Sequence, residues 1–266
     1  MSIFPARNLL ALMLSALAVG TSHAATINKS TDTASPAILD AKWQFQIAPY
    51  IWAIGMNGTT QIGTRRAHVD ASISDILNHL DYAGMLWLEA NKENLGLFLN
   101  IIFATLSDTA TDGPLSMNAR THYSLYTAGL SYTVYQANGW NISPYTGLRY
   151  THNKVSLNVA NPIANFYLSD NQHWIDPIIG ARFIYQFNQA WSLTAAGDVG
   201  GTNTAGHYSY NILGLLGYVP QSFSTHPTIY LGYRMLSQTY LTGHDSGTYL
   251  WDMKLSGPML GIAFNF

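Results

Sequence analysis

The sequence predicts an all-β fold: a closed antiparallel transmembrane β-barrel of about ten strands. Three observations carry the prediction. From Trp43 to Phe266 long segments alternate apolar and polar residues with a period of two. The composition is 48% hydrophobic but only 10% charged, where a soluble domain has about a quarter of its residues charged, yet the apolar residues are scattered rather than pooled. The last strand places Leu260, Ile262, Phe264 and Phe266 on one face, with Gly261, Ala263 and Asn265 on the other. In water such a face invites aggregation. In an outer membrane it is what a lipid-facing barrel strand requires.

The N-terminal region precedes the alternation. Arg7, the apolar run Leu9 to Val19, and Ser22-His23-Ala24 together read as a secretory signal peptide over residues 1–24, too short to span a bilayer. Residues 25–42, rich in Thr, Ser and Ala, have no period and read as a periplasmic lead-in, and 43–266 as the barrel.

Strands are expected near 43–54, 82–91, 95–108, 117–136, 140–157, 173–187, 190–203, 207–219, 226–240 and 247–266. Reading backwards from Phe266, whose strand runs toward the periplasm, puts the short turns Lys92-Glu93-Asn94, Ala137-Asn138-Gly139 and Asn188-Gln189 on the periplasmic side. Residues 109–116, 158–172, 204–206 and 241–246 then form outer loops, on the whole the longer outer connections that such barrels show, although 204–206 is short. Residues 55–81 form the first and longest outer loop. Within it Asn57-Gly58 signals a hairpin turn, and Ser74 to Leu80 a short capped helix. If that hairpin joins the wall, the count becomes twelve.

Several segments carry a resemblance: Pro49-Tyr50-Ile51-Trp52, Ser74-Asp75-Ile76-Leu77, Trp174 to Arg182, Gly197-Asp198-Val199-Gly200-Gly201, Gly232-Tyr233-Arg234 and Gly257 to Gly261. From about residue 43 onward the chain resembles a family of proteobacterial outer-membrane β-barrels. The family has no established activity, so the resemblance implies fold and a location in the cell outer membrane. Asn265 stands where a basic residue is usual in that family, and His79 where Asp or Asn is usual. The terminal strand, through Leu260, Ile262, Phe264 and Phe266, also resembles the signal read by the barrel-insertion machinery.

Composition removes other classes. With 12 Lys and Arg against 14 Asp and Glu there is no basic footprint for nucleic acid. Zero cysteines exclude disulfide frameworks and thiolate metal sites. The expected partners are outer-membrane lipid and lipopolysaccharide, with small solutes if the lumen is open. No cofactor is expected.

Alternation assigns six charges to the lumen: Glu89, Asp176 and Asp198 against Arg149, Arg182 and Arg234. The opposite phase would expose Arg to lipid at a cost of about 2–4 kcal/mol each near the midplane. Arg149, Arg182, Asp198 and Arg234 are expected at similar heights, with Arg182 and Asp198 as a direct ion pair. Balanced signs fit an internal salt-bridge layer, with Trp87, Tyr145 and Tyr230 filling the remaining lumen. The alternative is a selectivity constriction in a small passive channel.

An enzyme that modifies lipid A or cuts peptides is a third reading. Its candidate groups are His68, Asp70, Asp75, His79 and Asp81 in the first loop, and Asp170, His173, His207, His244 and Asp245 beyond. A nucleophile, a base and an orienting group would have to meet across loops. No Gly-x-Ser-x-Gly elbow and no His-Glu-x-x-His is present. A metal on His68 or His79 with Asp70 or Asp75 has only nonspecific loop spacing behind it. Tyr50, Trp52, Trp140, Trp174, Trp191 and Trp251 read as interfacial anchors, or alternatively as a carbohydrate path. The strand glycines read as relief of strain where the wall curves.

Overall fold

A computed structural model describes residues 42–112, 115–160, 165–202, 206–222 and 227–266. The expected signal peptide, and the expected lead-in apart from Lys42, lie outside the described residues.

The chain forms β1 (Gln44–Trp52), β2 (Gly55–Ile62), β3 (Arg65–Ala71), a helix α1 (Ile73–Asn78), β4 (Leu80–Lys92), β5 (Leu95–Asp112), β6 (Leu115–Tyr132), β7 (Tyr135–Ala137), β8 (Trp140–Ala160), β9 (Asn165–Gln186), β10 (Trp191–Gly200), β11 (His207–Tyr218), β12 (Thr228–Thr242) and β13 (Tyr249–Asn265). Ten of them close a ring in the order β1-β4-β5-β6-β8-β9-β10-β11-β12-β13, with β13 returning to β1. The closing ladder runs from Trp52↔Met259 to Gln46↔Asn265. It ends in two backbone bonds between Phe45 and Phe266, at 3.0 and 2.8 Å. A sheet in hydrocarbon must close in this way, because each unpaired amide there costs several kcal/mol.

β13 is long enough to serve two partners. Its lower half pairs with β1 and its upper half, Tyr249 to Ser256, with β2. Thus β2 continues β1 past a break at Ala53–Ile54, and β3 folds back on it. The hairpin lies above the ring and adds no strand to it, so the closed count is ten.

Several expectations are corrected. The hairpin turns at Gly63-Thr64, between paired Ile62 and Arg65, while Asn57-Gly58 lies within β2. Gly63 has φ 61°, the conformation a two-residue turn with glycine first demands. The helix begins at Ile73 rather than Ser74, because Ser72 is the N-cap: its side chain accepts from the Asp75 amide while Asp75 accepts from the Ser72 amide. Most of the expected outer loops at 109–116 and 158–172 is strand, since β5 pairs with β6 out to Asp112↔Leu115 and β8 with β9 out to Ala160↔Asn165.

The reason for this extension is an inversion of the pattern. Within the belt the wall is apolar outside, as at Leu148, Ile175, Ile179, Leu193, Leu231 and Leu260, all exposed. Higher up, the outward positions turn polar: His152 and Lys154 follow Tyr150 on β8, Ser237 and Thr239 follow Met235 on β12, and Ser256, Lys254 and Asp252 lie above Pro258 on β13. Over the same height the inward positions become apolar, giving a cluster of Trp52, Ile102, Tyr123, Leu125, Trp174, Leu236, Tyr240, Tyr249, Trp251, Met253 and Leu255. The protein is therefore an outer-membrane barrel in its lower part. The same wall continues upward with a polar outer face around an apolar core. Aromatic pairs on the outside mark the periplasmic edge, Trp140 with Tyr185 and Trp191 with Tyr218, each at 4.7 Å between ring centroids.

This inversion also corrects the aromatic anchors. Trp140 and Trp191 are exposed on the outer wall, whereas Tyr50, Trp52, Trp174 and Trp251 are buried inside.

Candidate functional site

Inside the belt the polar residues form two layers. The lower one joins β4 to β9 across the lumen. Arg182 donates two bonds to Glu89, Nη1 to Oε2 at 2.7 Å and Nη2 to Oε1 at 2.6 Å. Trp87 Nε1 and Asn91 Nδ2 donate to the same carboxylate at 3.0 and 3.2 Å. Such planar two-point recognition is available to arginine and not to lysine. Above the pair, Trp87 stacks on Phe98, and the Phe98 ring meets Tyr145 edge-on.

The upper layer is one continuous chain of bonds. Arg149 on β8, with 0% of its surface exposed, donates to Ser209 Oγ at 3.2 Å and to Asp198 Oδ1 at 2.6 Å. Asp198 on β10 also accepts from the Tyr145 hydroxyl and from Asn211 Nδ2. Asn211 accepts from Arg234 Nε at 2.8 Å, and Arg234 reaches the Tyr50 hydroxyl, which donates to Asn100 at 2.7 Å. The Arg234 guanidinium also lies 4.8 Å from the centroid of the Trp52 ring. Asp176, opposite Arg149 in the β8–β9 ladder, is buried beside Ser209 and Gln238, with its Oδ1 unpartnered.

All six sequence-assigned charges thus lie within the barrel, but their partners differ from expectation. Arg182 pairs with Glu89 and Asp198 with Arg149, so the expected Arg182–Asp198 pair does not form. Register explains this. Asp198 stands opposite Gly180 and Arg182 opposite Ala196. The Tyr145 ring covers Gly180 and separates the two charges, which turn across the lumen in different layers. The expectation of a common height fails for Arg182, and the six charges make two direct salt bridges. Tyr50 and Trp52, expected as interfacial anchors or a carbohydrate path, belong to the lumen layer, and Asn100, Ser209 and Asn211 join it without having been singled out by the sequence. Asn100, Ser209 and Asn211 had a signal, since each is a polar residue at the inward phase of its strand.

The upper layer is capped from above. Gln238 bonds Thr151 and Tyr123, and Asn153 bonds the Tyr249 hydroxyl. Over these lies the apolar cluster, in which Leu125 and Leu236 have 0% exposure. Trp174 stacks on Tyr240 at 4.5 Å and Trp251 on Tyr123 at 6.0 Å.

The enzyme candidates are dispersed. Asp75 belongs to the helix cap, His79 faces Asp108 at 3.5 Å, and Asp81 accepts from Ser107. His207 meets the Tyr240 ring, His173 the Tyr150 ring, and Asp170 accepts from Gln172. His68 and Asp70 are exposed on β3, and Asp245 begins a short 3-10 turn with His244 at its N-cap position, without a side-chain capping bond. Among the described residues no three His, Asp or Glu side chains gather in a metal-binding arrangement. On the terminal strand Leu260, Ile262 and Phe264 share the outward face, and Phe266 is exposed.

No family model matches the chain, and no curated protein sequence matches it. Solved structures do. The outer membrane protease OmpT from Escherichia coli aligns with TM-score 0.57 at 9% identity, over 89% of this chain and 100% of that one. The attachment invasion locus protein Ail of Yersinia pestis aligns with TM-score 0.38 at 12% identity, over 84% and 98%. The translocator domain of the autotransporter NalP from Neisseria meningitidis aligns with TM-score 0.39 at 10% identity, over 86% and 90%. What the chain shares with OmpT is the barrel fold. These neighbours are outer-membrane β-barrels of Gram-negative bacteria.

Proposed function

We propose that this protein is a closed outer-membrane barrel that acts as a structural or surface-interacting element rather than as a conduit. The observation that carries the reading is the double seal. A neutral, hydrogen-bonded charge layer crosses the belt, and a packed Trp, Tyr, Leu and Met core stands above it. A conducting pore would need a hydrated path through both. Its charge ring would also favour one sign, and here Arg149, Arg182 and Arg234 are matched by Glu89, Asp176 and Asp198.

The barrel is read as a member of the proteobacterial family that its Trp174 to Arg182 and Gly257 to Gly261 segments resemble. Its terminal strand is read as the segment recognised by the insertion machinery. The likeness to a protease is one of fold, and protease chemistry is not assigned to this chain. Planar-bilayer conductance is the test. The protein should show no sustained openings. Stable openings whose ion selectivity shifts on Arg149→Ala or Asp198→Ala would replace this reading with the channel.

A further inference from the structure

The outer wall is unevenly charged where the apolar belt ends. On β6, β8 and β9 the ladder aligns Tyr126 with Tyr150 and Tyr150 with Ile175 in one rung. The outward rung above holds Ser124, His152 and His173, the next His122, Lys154 and Asn171, and the next Arg120, Ser156 and Ser169. Successive outward rungs are about 7 Å apart along a strand, so imidazoles begin directly above the tyrosines, and the fixed charges of Lys154 and Arg120 follow two and three rungs up. Tyr at such a level marks the edge of the hydrocarbon.

These side chains are held in place. His122 Nδ1 is 2.8 Å from Thr105 Oγ1, and His152 Nε2 is 2.6 Å from Asn171 Oδ1. Among the described outward residues of these rungs there is no carboxylate. The acidic groups around them are engaged: Asp81 lies 3.9 Å from Arg120 and is held by Ser107, Asp108 is engaged by His79, and Asp170, at the inward phase of β9, accepts from Gln172. At the corresponding level β12 and β13 present Ser237, Thr239, Asp252, Lys254 and Ser256, where one acid offsets one amine. The Asp252 carboxylate is occupied by the Thr239 hydroxyl at 3.0 Å.

We propose that the outward face of β6, β8 and β9 above Tyr126 and Tyr150 docks the phosphate groups of the phosphorylated glycolipid of the outer leaflet. The occupant follows from position and charge. The surface continues the lipid-facing belt upward, so its neighbour in the membrane is a lipid headgroup, and its excess of cations calls for an anion. Lys154 supplies a fixed charge, Arg120 a second that it shares with Asp81 at 3.9 Å, and His122, His152 and His173 supply ring nitrogens around them. The proposal does not rest on the closed lumen, since conductance reports on one and lipid binding on the other.

The test uses the full-length barrel folded in detergent and titrated with bisphosphorylated lipid A, with dephosphorylated lipid A and inorganic phosphate as comparison probes. Each free surface cation contributes about fivefold to binding of an anionic headgroup, so Arg120→Gln with Lys154→Gln should weaken the bisphosphorylated lipid by about 5- to 25-fold, Arg120 counting for less because it is shared with Asp81. Lys254→Gln on the other side should leave it unchanged, and the dephosphorylated lipid should not distinguish the variants. Heat-modifiable migration checks folding. If the double variant does not fold, the exposed Lys154→Gln alone should still cost about fivefold. Unchanged affinity in the variants, an equal loss with Lys254→Gln, or displacement of the lipid by inorganic phosphate at matched concentration would each overturn the proposal.

Discussion

Arg149 and Asp198 meet at 2.6 Å although their strands, β8 and β10, are not neighbours in the wall. The bond spans β9 and links the wall through the lumen. Their side chains are 0% and 3% exposed, so water screens neither charge.

Removing one partner should therefore strand the other. Arg149→Met alone is expected to cost about 3–5 kcal/mol, as is Asp198→Asn. The double variant should cost less than their sum by about 1–3 kcal/mol, the coupling of residues in one network. Urea unfolding of the detergent-folded barrel gives all three values. Small, additive losses would place these charges in water and undo the sealed lumen.

This pairing also marks how far the sequence could be read. Period-two alternation fixes a face for each residue, and the penalty for a charge in lipid selects the phase, so Arg149, Arg182, Asp198 and Arg234 were placed inward from their strands alone. Partners across a lumen depend on how the sheet closes, and alternation carries no term for closure. The same gap hid the extension of the wall. At His152 and Lys154 the outward face becomes polar, and at Trp174 and Trp251 the inward face becomes apolar. A reader expecting lipid on one side sees in this only the end of a strand. Asn57-Gly58 misled because its turn chemistry is strong in isolation, while β13 offers it a full ladder partner.

Gly257 is the hinge of that arrangement. It lies where β13 changes partners from β1 to β2, and an added Cβ would run into the Ala53 carbonyl oxygen. Backbone cannot yield as a side chain tip can, so Gly257→Ala should impair folding of the barrel. Gly197 has only ordinary contact to the Asn211 carbonyl, at 3.5 Å, so Gly197→Ala should be nearly silent. Folding yield from urea into detergent, read by heat-modifiable migration, compares the two.

The helix α1 should respond to acid. Bonds to the Ser72 side chain, and then to its backbone N–H, hold the Asp75 carboxyl below its usual pKa. A depressed folded value means the capping box contributes above the ordinary carboxyl range and is lost as pH falls through that lowered value. The Ser72 amide resonance should therefore shift with a midpoint below that of a free aspartate. Asp75→Asn should remove the transition. A midpoint at or above the ordinary value would mean the box is not formed.

The sealed core above the belt should behave like the interior of a soluble protein. Leu125 and Leu236 are fully buried, so Leu125→Ala and Leu236→Ala should each cost about 2–5 kcal/mol through lost burial and the cavity left behind. Neither should open a conducting path, because the charge layer below remains intact. Unfolding curves and bilayer recordings on the same variants test both statements, and current through Leu236→Ala would show that the core alone closes the lumen.

The pair at the periplasmic side should be less sensitive. Glu89 accepts two bonds from Arg182 and one each from Trp87 and Asn91. Glu89→Gln preserves volume but sets an amide N–H₂ against a group of donors and leaves the guanidinium unmatched. The Arg182 side chain is 18% exposed, so part of that charge can turn to water. The cost should fall to about 2–3 kcal/mol, below the 3–5 kcal/mol of a fully buried pair. Replacing both, with Glu89→Leu and Arg182→Met, removes the desolvation of two ions along with their attraction, and such exchanges are often neutral or stabilising. A double variant more stable than Glu89→Gln would identify the lower layer as a seal that tolerates apolar filling. A double variant less stable than either single change would mean the charges themselves hold β4 to β9.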